Sequence, residues 1–329
     1  MNYRNLGKSD LLLSEIAFGA WAAGGWMWGQ TNVNDAIHAM QAGIANGMTT
    51  IDTAPVYGKG LSEEIVGKAI ANQPRDRIQI LTKFGMRWDL NKGSFGFDSS
   101  DNSGNPISIY KYAGKESVIY ECEQSLKRLK TDYIDLYQIH WPDASTPIAE
   151  TFEAVNQLIK EGKIRYAGVS NFNSSQMQEA LEVCPIISNQ VPFSMINRTI
   201  QEDVVPFCES HEIGILAYSP MERGLLTGKI KNSNHFDEGD HRLKHPHFQP
   251  EFINNTHKFL QQIKPIADKK NCTLAQLVLA WTIFQPNITI ALAGARNDQQ
   301  ALSNLKASNV KLYHEEVLFI DRLIATYFG

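Results

Sequence analysis

The sequence predicts an α/β fold in which eight parallel strands close into a (β/α)8 barrel, and three observations carry that prediction. Short β-branched, apolar runs alternate with longer helical patterns from one end of the 329-residue chain to the other, as in a parallel sheet with helical crossovers. Eight such runs occur. No composition shift, linker, low-complexity tract or repeat of about 20 to 50 residues separates them. A closed barrel is therefore favoured over an open doubly wound sheet, and residues 1–329 read as a single domain.

The strands are expected at 14–19 (SEIAFG), 48–53 (MTTIDT), 78–83 (IQILTK), 133–140 (YIDLYQIH), 164–170 (IRYAGVS), 186–190 (IISNQ), 214–219 (GILAYS) and 288–294 (ITIALAG). Between them, 115–129 places Val118, Cys122, Leu126 and Leu129 on one helical face, and 273–285 opens with a Thr273/Gln276 capping box. A typical barrel of this kind occupies ~250 residues, so about 80 must be insertions. These fall in the Gly/Ser/Asn/Asp-rich loop 84–114, in the His-rich loop 222–250 with a helix near 254–269, and in an extra C-terminal helix near 314–326. The two loops follow strands three and seven, which puts long loops on the C-terminal face, where active sites of this architecture are built.

Composition excludes several functions. With 31 Lys+Arg against 35 Asp+Glu, a net charge of −4 and no basic stripe, a nucleic-acid partner is not expected. No stretch approaches the ~20 apolar residues of a membrane span, so a soluble, cytoplasmic, uncleaved protein is expected. Cys122, Cys184, Cys208 and Cys272 form no C-x-x-C pair and read as buried thiols in a reducing compartment. The dinucleotide fingerprint is absent: Gly58-Lys59-Gly60-Leu61-Ser62-Glu63 lacks the last glycine and reads as a turn before a helix capped by Ser62. Gly67-Lys68 is followed by Ala69, so it is not a phosphate-binding loop. His235, His241, His245 and His247 cluster after strand seven, but no carboxylate or cysteine spacing completes a metal site. They read as exposed loop histidines, and no metal is expected.

Polar residues that could do chemistry lie at the ends of consecutive strands: Asp52 and Tyr57 after strand two, Lys83 ending strand three and His140 ending strand four. Singly, each could be a strand-end ion pair or a satisfied histidine. Together they suggest a site. An acid and a lysine in apolar strands need partners of opposite charge. Lys83 beside Tyr57 would lower the phenol's pKa from ~10, Asp52 would fix Lys83, and His140 could steer a carbonyl or hydrogen-bond its oxygen.

The chain resembles the aldo-keto reductases over nearly its whole length. The resemblance is carried by IDTAPVYGKGLSEEIVGKAI (51–70), LTKFG (81–85), SLKRLKTDYIDLYQIHWPD (125–143), GKIRYAGVSNF (162–172), AYSPMERGLLTGK (217–229) and AGARNDQQALSNL (293–305). It implies a TIM barrel whose catalytic tetrad falls on Asp52, Tyr57, Lys83 and His140, with Tyr57 the proton donor and no metal. It implies direct hydride transfer between NADP(H) and a small aldehyde, ketone or alcohol. By the same resemblance Ser170, Asn171 and Gln190 would hold the nicotinamide carboxamide, and Tyr218 would stack beneath its ring. Ser219, Met221, Arg223, Gly224 and Lys229 would line the pyrophosphate stretch. Gly294, Arg296, Gln300 and Asn304 would bind the adenosine end, while Gly19 and Trp21 would border cofactor and substrate. A ribose phosphate needs a cation, and Arg296 before the helix near 297–307 suits it, so NADP(H) is preferred over NAD(H).

Trp21, Trp26, Trp28, Trp88, Phe95, Phe97, Tyr110, Tyr112 and Trp141 make an aromatic-rich mouth, able to stack on sugars or enclose aromatic aldehydes and equally able to pack the loops. Two other classes stay open. One is an NADP(H)-binding regulatory subunit or redox sensor of the same fold, as in potassium-channel β subunits; the other is a barrel lyase or isomerase with Lys83 as Schiff-base nucleophile. Oligomeric state is not legible in the sequence.

Overall fold

The structure, a computed structural model, describes residues 1–29 and 31–329. All eight expected strands form: β1 (Ile16–Gly19), β2 (Thr50–Asp52), β3 (Gln79–Phe84), β4 (Ile134–Ile139), β5 (Ile164–Ser170), β6 (Ile186–Pro192), β7 (Gly214–Tyr218) and β8 (Ile288–Ala293). They pair in parallel and in sequence order, and β8 closes on β1. Helices α1 (Val33–Ala45), α2 (Leu61–Ile70), α3 (Lys115–Leu129), α4 (Ile148–Lys160), α5 (Ser174–Leu181), α6 (Val204–Ser210), α7 (Pro250–Lys269), α8 (Leu274–Phe284), α9 (Asp298–Leu305) and α10 (His314–Phe328) occupy the crossovers and the C-terminus. The helix α3 has the expected bounds, and α8 carries both bonds of the Thr273/Gln276 capping box. The helix α7 starts at Pro250, earlier than expected, because a proline in the first turn gives up an N–H that has no intrahelical acceptor.

An N-terminal hairpin, Tyr3–Asn5 with Leu12–Ser14, was not anticipated; its three-residue strands are too short to show a periodicity. It forms the barrel floor. Leu6, Leu11 and Leu13 are buried with Ala17, Leu81, Leu136, Ile187, Leu216, Ile290 and Leu292. Each such leucine contributes about 1.5 to 3 kcal/mol. Gly7 turns the hairpin at φ 53°, and any Cβ there would lie 2.4 Å from the carbonyl of Glu212.

The segment expected as a loop at 84–114 is instead a three-stranded antiparallel sheet of Met86–Arg87, Pro106–Lys111 and Ser94–Ser100, with the first two adjacent. Its alternation was diluted by Gly, Ser and Asp in SFGFDSS. The sheet is rooted on α3, where Glu121 accepts from Gly85 N at 3.1 Å and from Ser117 Oγ at 3.1 Å, with Arg87 Nη1 3.8 Å away. Among the described residues no helix is long and apolar enough to cross a membrane. The cysteines are free thiols; Cys122, Cys184 and Cys208 are buried and Cys272 half-buried.

Burial pushes the Glu121 carboxyl up to about 7, against the opposing pull of Arg87. A raised folded-state value means that the charged form is disfavoured by folding, so stability falls as pH rises from the unfolded value toward 7. Thermal melts of Glu121→Gln and wild type should therefore diverge between pH 5 and pH 8, with the variant gaining on wild type at the higher pH. A pH-independent difference would contradict this.

Candidate active site

Successive strand residues face opposite sides, so Leu81 and Lys83 share the barrel interior, one in the apolar floor and one in a polar layer above it. Lys83 is fully buried and Asp52 is 3% exposed. Lys83 Nζ donates to Asp52 Oδ1 at 2.9 Å, Asp52 Oδ2 at 2.8 Å and the Thr53 carbonyl at 2.9 Å. Gln190 Nε2 from β6 donates to Asp52 Oδ1 at 2.7 Å. Burial raises the Asp52 carboxyl and lowers the Lys83 ammonium from their ordinary values, and the facing charges oppose both shifts. With all three ammonium hydrogens committed and no exposure, Lys83 is badly placed to attack a carbonyl as an imine-forming amine.

Tyr57 sits in the turn after β2. This turn is pinned against the loop after β1: a Cβ on Gly24 would lie 2.7 Å from the Tyr57 carbonyl, and one on Gly58 2.4 Å from the Gly24 carbonyl. The Tyr57 and His140 rings meet edge to face at 5.6 Å, and Lys83 Nζ lies 5.3 Å from the Tyr57 ring centre. The expectation that Lys83 lowers the Tyr57 pKa is corrected here. Burial, then the Asp52 and Tyr218 charges, hold the phenol well above its ordinary value, because the ammonium is spent on Asp52 and Thr53. His140 is held well below the usual imidazole value by burial and by Lys83. At neutral pH the pair is thus a neutral phenol beside a neutral imidazole. Ser62 is also corrected: Gly60, left-handed at φ 97°, caps α2, and Ser62 lies inside its first turn. The Ser62 hydroxyl donates to the Ala20 carbonyl at 2.9 Å and accepts from Thr53 Oγ1 at 2.8 Å, tying β1 to the Tyr57 turn.

The residues expected around a nicotinamide form one network. Ser170 Oγ donates to the Gln190 carbonyl at 2.8 Å, Asn171 Nδ2 to the His140 carbonyl at 3.0 Å, and Tyr218 Oη to Asn171 Oδ1 at 3.0 Å. Beyond β7 the chain is left-handed at Ser219 (φ 53°), Arg223 (φ 53°) and Gly224 (φ 95°), with Met221 between. At the other rim Arg296 N donates to Gln300 Oε1 at 3.0 Å and Asn304 Nδ2 to the Gly294 carbonyl at 3.1 Å. Lys229 is exposed, and its backbone N donates to Thr227 Oγ1 at 3.3 Å. Gly19 ends β1, adjacent to Asp52, and Trp21 stacks on Tyr57 at 6.0 Å. These residues suit a dinucleotide: Arg223 Nε is buried with no partner among the described residues, and a Cβ on Gly224 would meet nothing within 4 Å.

Sequence reasoning missed Glu222, placed Trp28 in the mouth without assigning it a partner, and misread His241 as exposed. Glu222, buried and at φ 46°, accepts from Arg223 Nη1 at 2.8 Å and Ser194 Oγ at 3.0 Å, and its Oε1 lies 3.2 Å from His247 Nδ1. The ligand atoms of Glu222, His245 and His247 lie within 4.8 Å of one another, so a carboxylate does join these histidines, contrary to expectation, although its oxygens are already engaged. Trp28 receives Arg296 Nη2 on its carbonyl at 2.7 Å. His241 is not an exposed loop histidine; its side chain is 8% exposed and stacks on Trp21 at 5.0 Å. No spacing rule links residue 241 to residues 21 and 28. Other expected mouth aromatics face outward: Phe95 is 57% exposed, and Trp141 carries Lys111 Nζ 4.9 Å above its ring.

The chain belongs to the aldo/keto reductase family, whose model matches residues 15–325. The family comprises carbonyl-reducing oxidoreductases that use nicotinamide cofactors. The aldo-keto reductase YhdN of Bacillus subtilis is 38% identical over 309 residues, covering 93% of this chain and 88% of that protein. The NADH-specific methylglyoxal reductase of Escherichia coli is 35% identical over 312 residues, covering 93% of each. The structure of the glycerol dehydrogenase AKR11B4 from Gluconobacter oxydans superposes with a TM-score of 0.88 at 34% identity, covering 99% of this chain and 95% of that one.

Removing one member of the buried pair should be expensive. Lys83→Met strands the Asp52 charge, and urea unfolding should show a loss of about 3 to 5 kcal/mol, part of which Asp52→Asn restores in the double variant. Additive losses would contradict the coupling.

Proposed function

We propose that the chain, as one barrel domain spanning residues 1–329, is an NADP(H)-dependent reductase of small aldehydes or ketones in which Tyr57 is the general acid. The observation that carries this reading is the neutral Tyr57 phenol at the mouth of a buried Asp52–Lys83 pair, with His140 beside it. A bound nicotinamide would supply the hydride. Ser170, Asn171 and Gln190 would orient it, with Tyr218 beneath the ring; Ser219, Met221, Arg223, Gly224 and Lys229 would follow the pyrophosphate, and Gly294, Arg296, Gln300 and Asn304 the adenosine. Neutral His140 donates a hydrogen bond to the carbonyl oxygen and orients it. Tyr57 gives its proton to that oxygen as negative charge develops there. That leaves a tyrosinate, which must regain a proton before the next turnover. In the reverse direction the same tyrosinate takes the proton of an alcohol.

Cofactor preference turns on Arg296, the exposed cation at the adenosine rim before α9. Its guanidinium contributes one nitrogen to the Trp28 carbonyl, leaving others for a ribose phosphate. The Escherichia coli relative's specificity for NADH belongs to that protein.

Fluorescence titration with NADPH and NADH, followed by NADPH oxidation over sugars, aliphatic aldehydes, aromatic aldehydes and ketones, tests the proposal. Binding with turnover supports it; binding without turnover favours a regulatory subunit. Tyr57→Phe should lower kcat by about 100-fold or more while cofactor Kd stays close to wild type. Arg296→Ala should raise the Kd of NADPH more than that of NADH, and an unchanged ratio would reject the ribose-phosphate role.

A further inference from the structure

Beside Tyr57, three ring nitrogens have no partner among the described residues. Trp21 Nε1, Trp28 Nε1 and His241 Nε2 are each closed off from solvent and make no hydrogen bond. Their rings form one cluster. Trp21 stacks on Tyr57 at 6.0 Å and on His241 at 5.0 Å, while Trp28 meets Trp21 at 5.4 Å and His241 at 4.7 Å, both edge-on. Buried polar atoms are almost always paired, so three orphans in one cluster at the mouth of a site point to a ligand. Trp26, in the same loop, provides the contrast: its Nε1 donates to Ser99 Oγ at 3.1 Å and its ring stacks on Phe97.

The chemistry of the three atoms narrows the ligand. An indole N–H only donates. His241 Nδ1 lies 2.7 Å from the Met27 carbonyl, which only accepts, so Nδ1 carries the hydrogen. Burial lowers this imidazole to about 4, and at neutral pH Nε2 is therefore a bare lone pair. The cluster presents two donors and one acceptor. A phosphate or carboxylate would satisfy the indoles but oppose the lone pair, and an apolar group would satisfy none of them. A hydroxyl accepts from an indole and donates to the imidazole at once.

We infer that Trp28 and His241, together with Trp21, form a hydroxyl-recognition site that selects carbonyl substrates carrying hydroxyl groups beyond the reacting carbon. The inference rests on the reductase reading and names its substrate class. The rings are brought together by two loops, through His241 N to the Met27 carbonyl at 3.1 Å and the packing of Asp237 on Gly29, so a ligand enters by parting loops and leaves the barrel frame undisturbed. A ribose hydroxyl of the cofactor has the same chemistry as a substrate hydroxyl, and the test separates them.

His241→Phe keeps a flat ring and removes the lone pair; Trp28→Phe removes one donor. For wild type and both variants, kcat/KM is measured for glyceraldehyde and for propanal, and Kd for NADPH and NADH by fluorescence. The glyceraldehyde-to-propanal ratio should fall about tenfold in each variant, the effect of one lost hydrogen bond. A rise in cofactor Kd with an unmoved ratio overturns the substrate assignment in favour of the ribose, and no change in either overturns hydroxyl recognition altogether. A wild type that reduces neither these aldehydes nor any other carbonyl of the wider panel defeats the reductase reading instead. The site is then read from tryptophan fluorescence: saturable quenching by glycerol and not by propan-1-ol, lost in His241→Phe, supports it, and its absence overturns it.

Discussion

The ion pair between Asp52 and Lys83 is the constraint around which the rest of the mouth is arranged. A fully buried ammonium is tolerable only with an opposite charge and acceptors for its three hydrogens, and Asp52 with the Thr53 carbonyl provides all three. That requirement fixes the tops of β2 and β3 against each other. It also sets the start of the turn that carries Tyr57, because the carbonyl that completes the ammonium's shell belongs to that turn. Gln190 extends the demand across the barrel to β6, and through its carbonyl to Ser170 on β5.

The barrel interior is divided by height. Leucines from the N-terminal hairpin and the lower strand positions make a dry floor, while Lys83, Gln138, Ser188 and Gln190 occupy inner or buried strand positions nearer the mouth. The floor supplies stability, and the polar layer draws on it. Strain is placed at the same end of the molecule. Ser219, Glu222 and Arg223 hold left-handed backbone that costs non-glycine residues of order 1 kcal/mol or more each, and Glu222 stabilises that turn through Arg223, Ser194 and His247.

Much of this is legible in the sequence alone. Each strand was found because β-branched runs such as IRYAGVS survive as a continuous pattern, and α3 and α8 because their apolar spacing and cap are unambiguous. The floor hairpin and the sheet at 86–111 were not, because three-residue strands and a Gly/Ser-diluted alternation fall below what periodicity can register. Ser62 was misread as a cap because a serine before an apolar run looks like one; only the tertiary contact with Ala20 and Thr53 shows where its hydroxyl goes.

By itself the sequence determined the barrel, the order of its strands and the four polar residues at consecutive strand ends, because strand alternation and chain order translate directly into neighbouring inward positions. Tertiary structure alone decided the state of those residues: that Lys83 spends its hydrogens on Asp52 and Thr53 and leaves the phenol neutral. It also decided which of the many mouth aromatics matter. Trp26 and Trp28 are two residues apart and chemically identical, yet one donates to Ser99 while the other meets His241 from a loop more than half the chain away. Local sequence fixes what a side chain can offer, but whether a partner is present is a property of packing between distant segments.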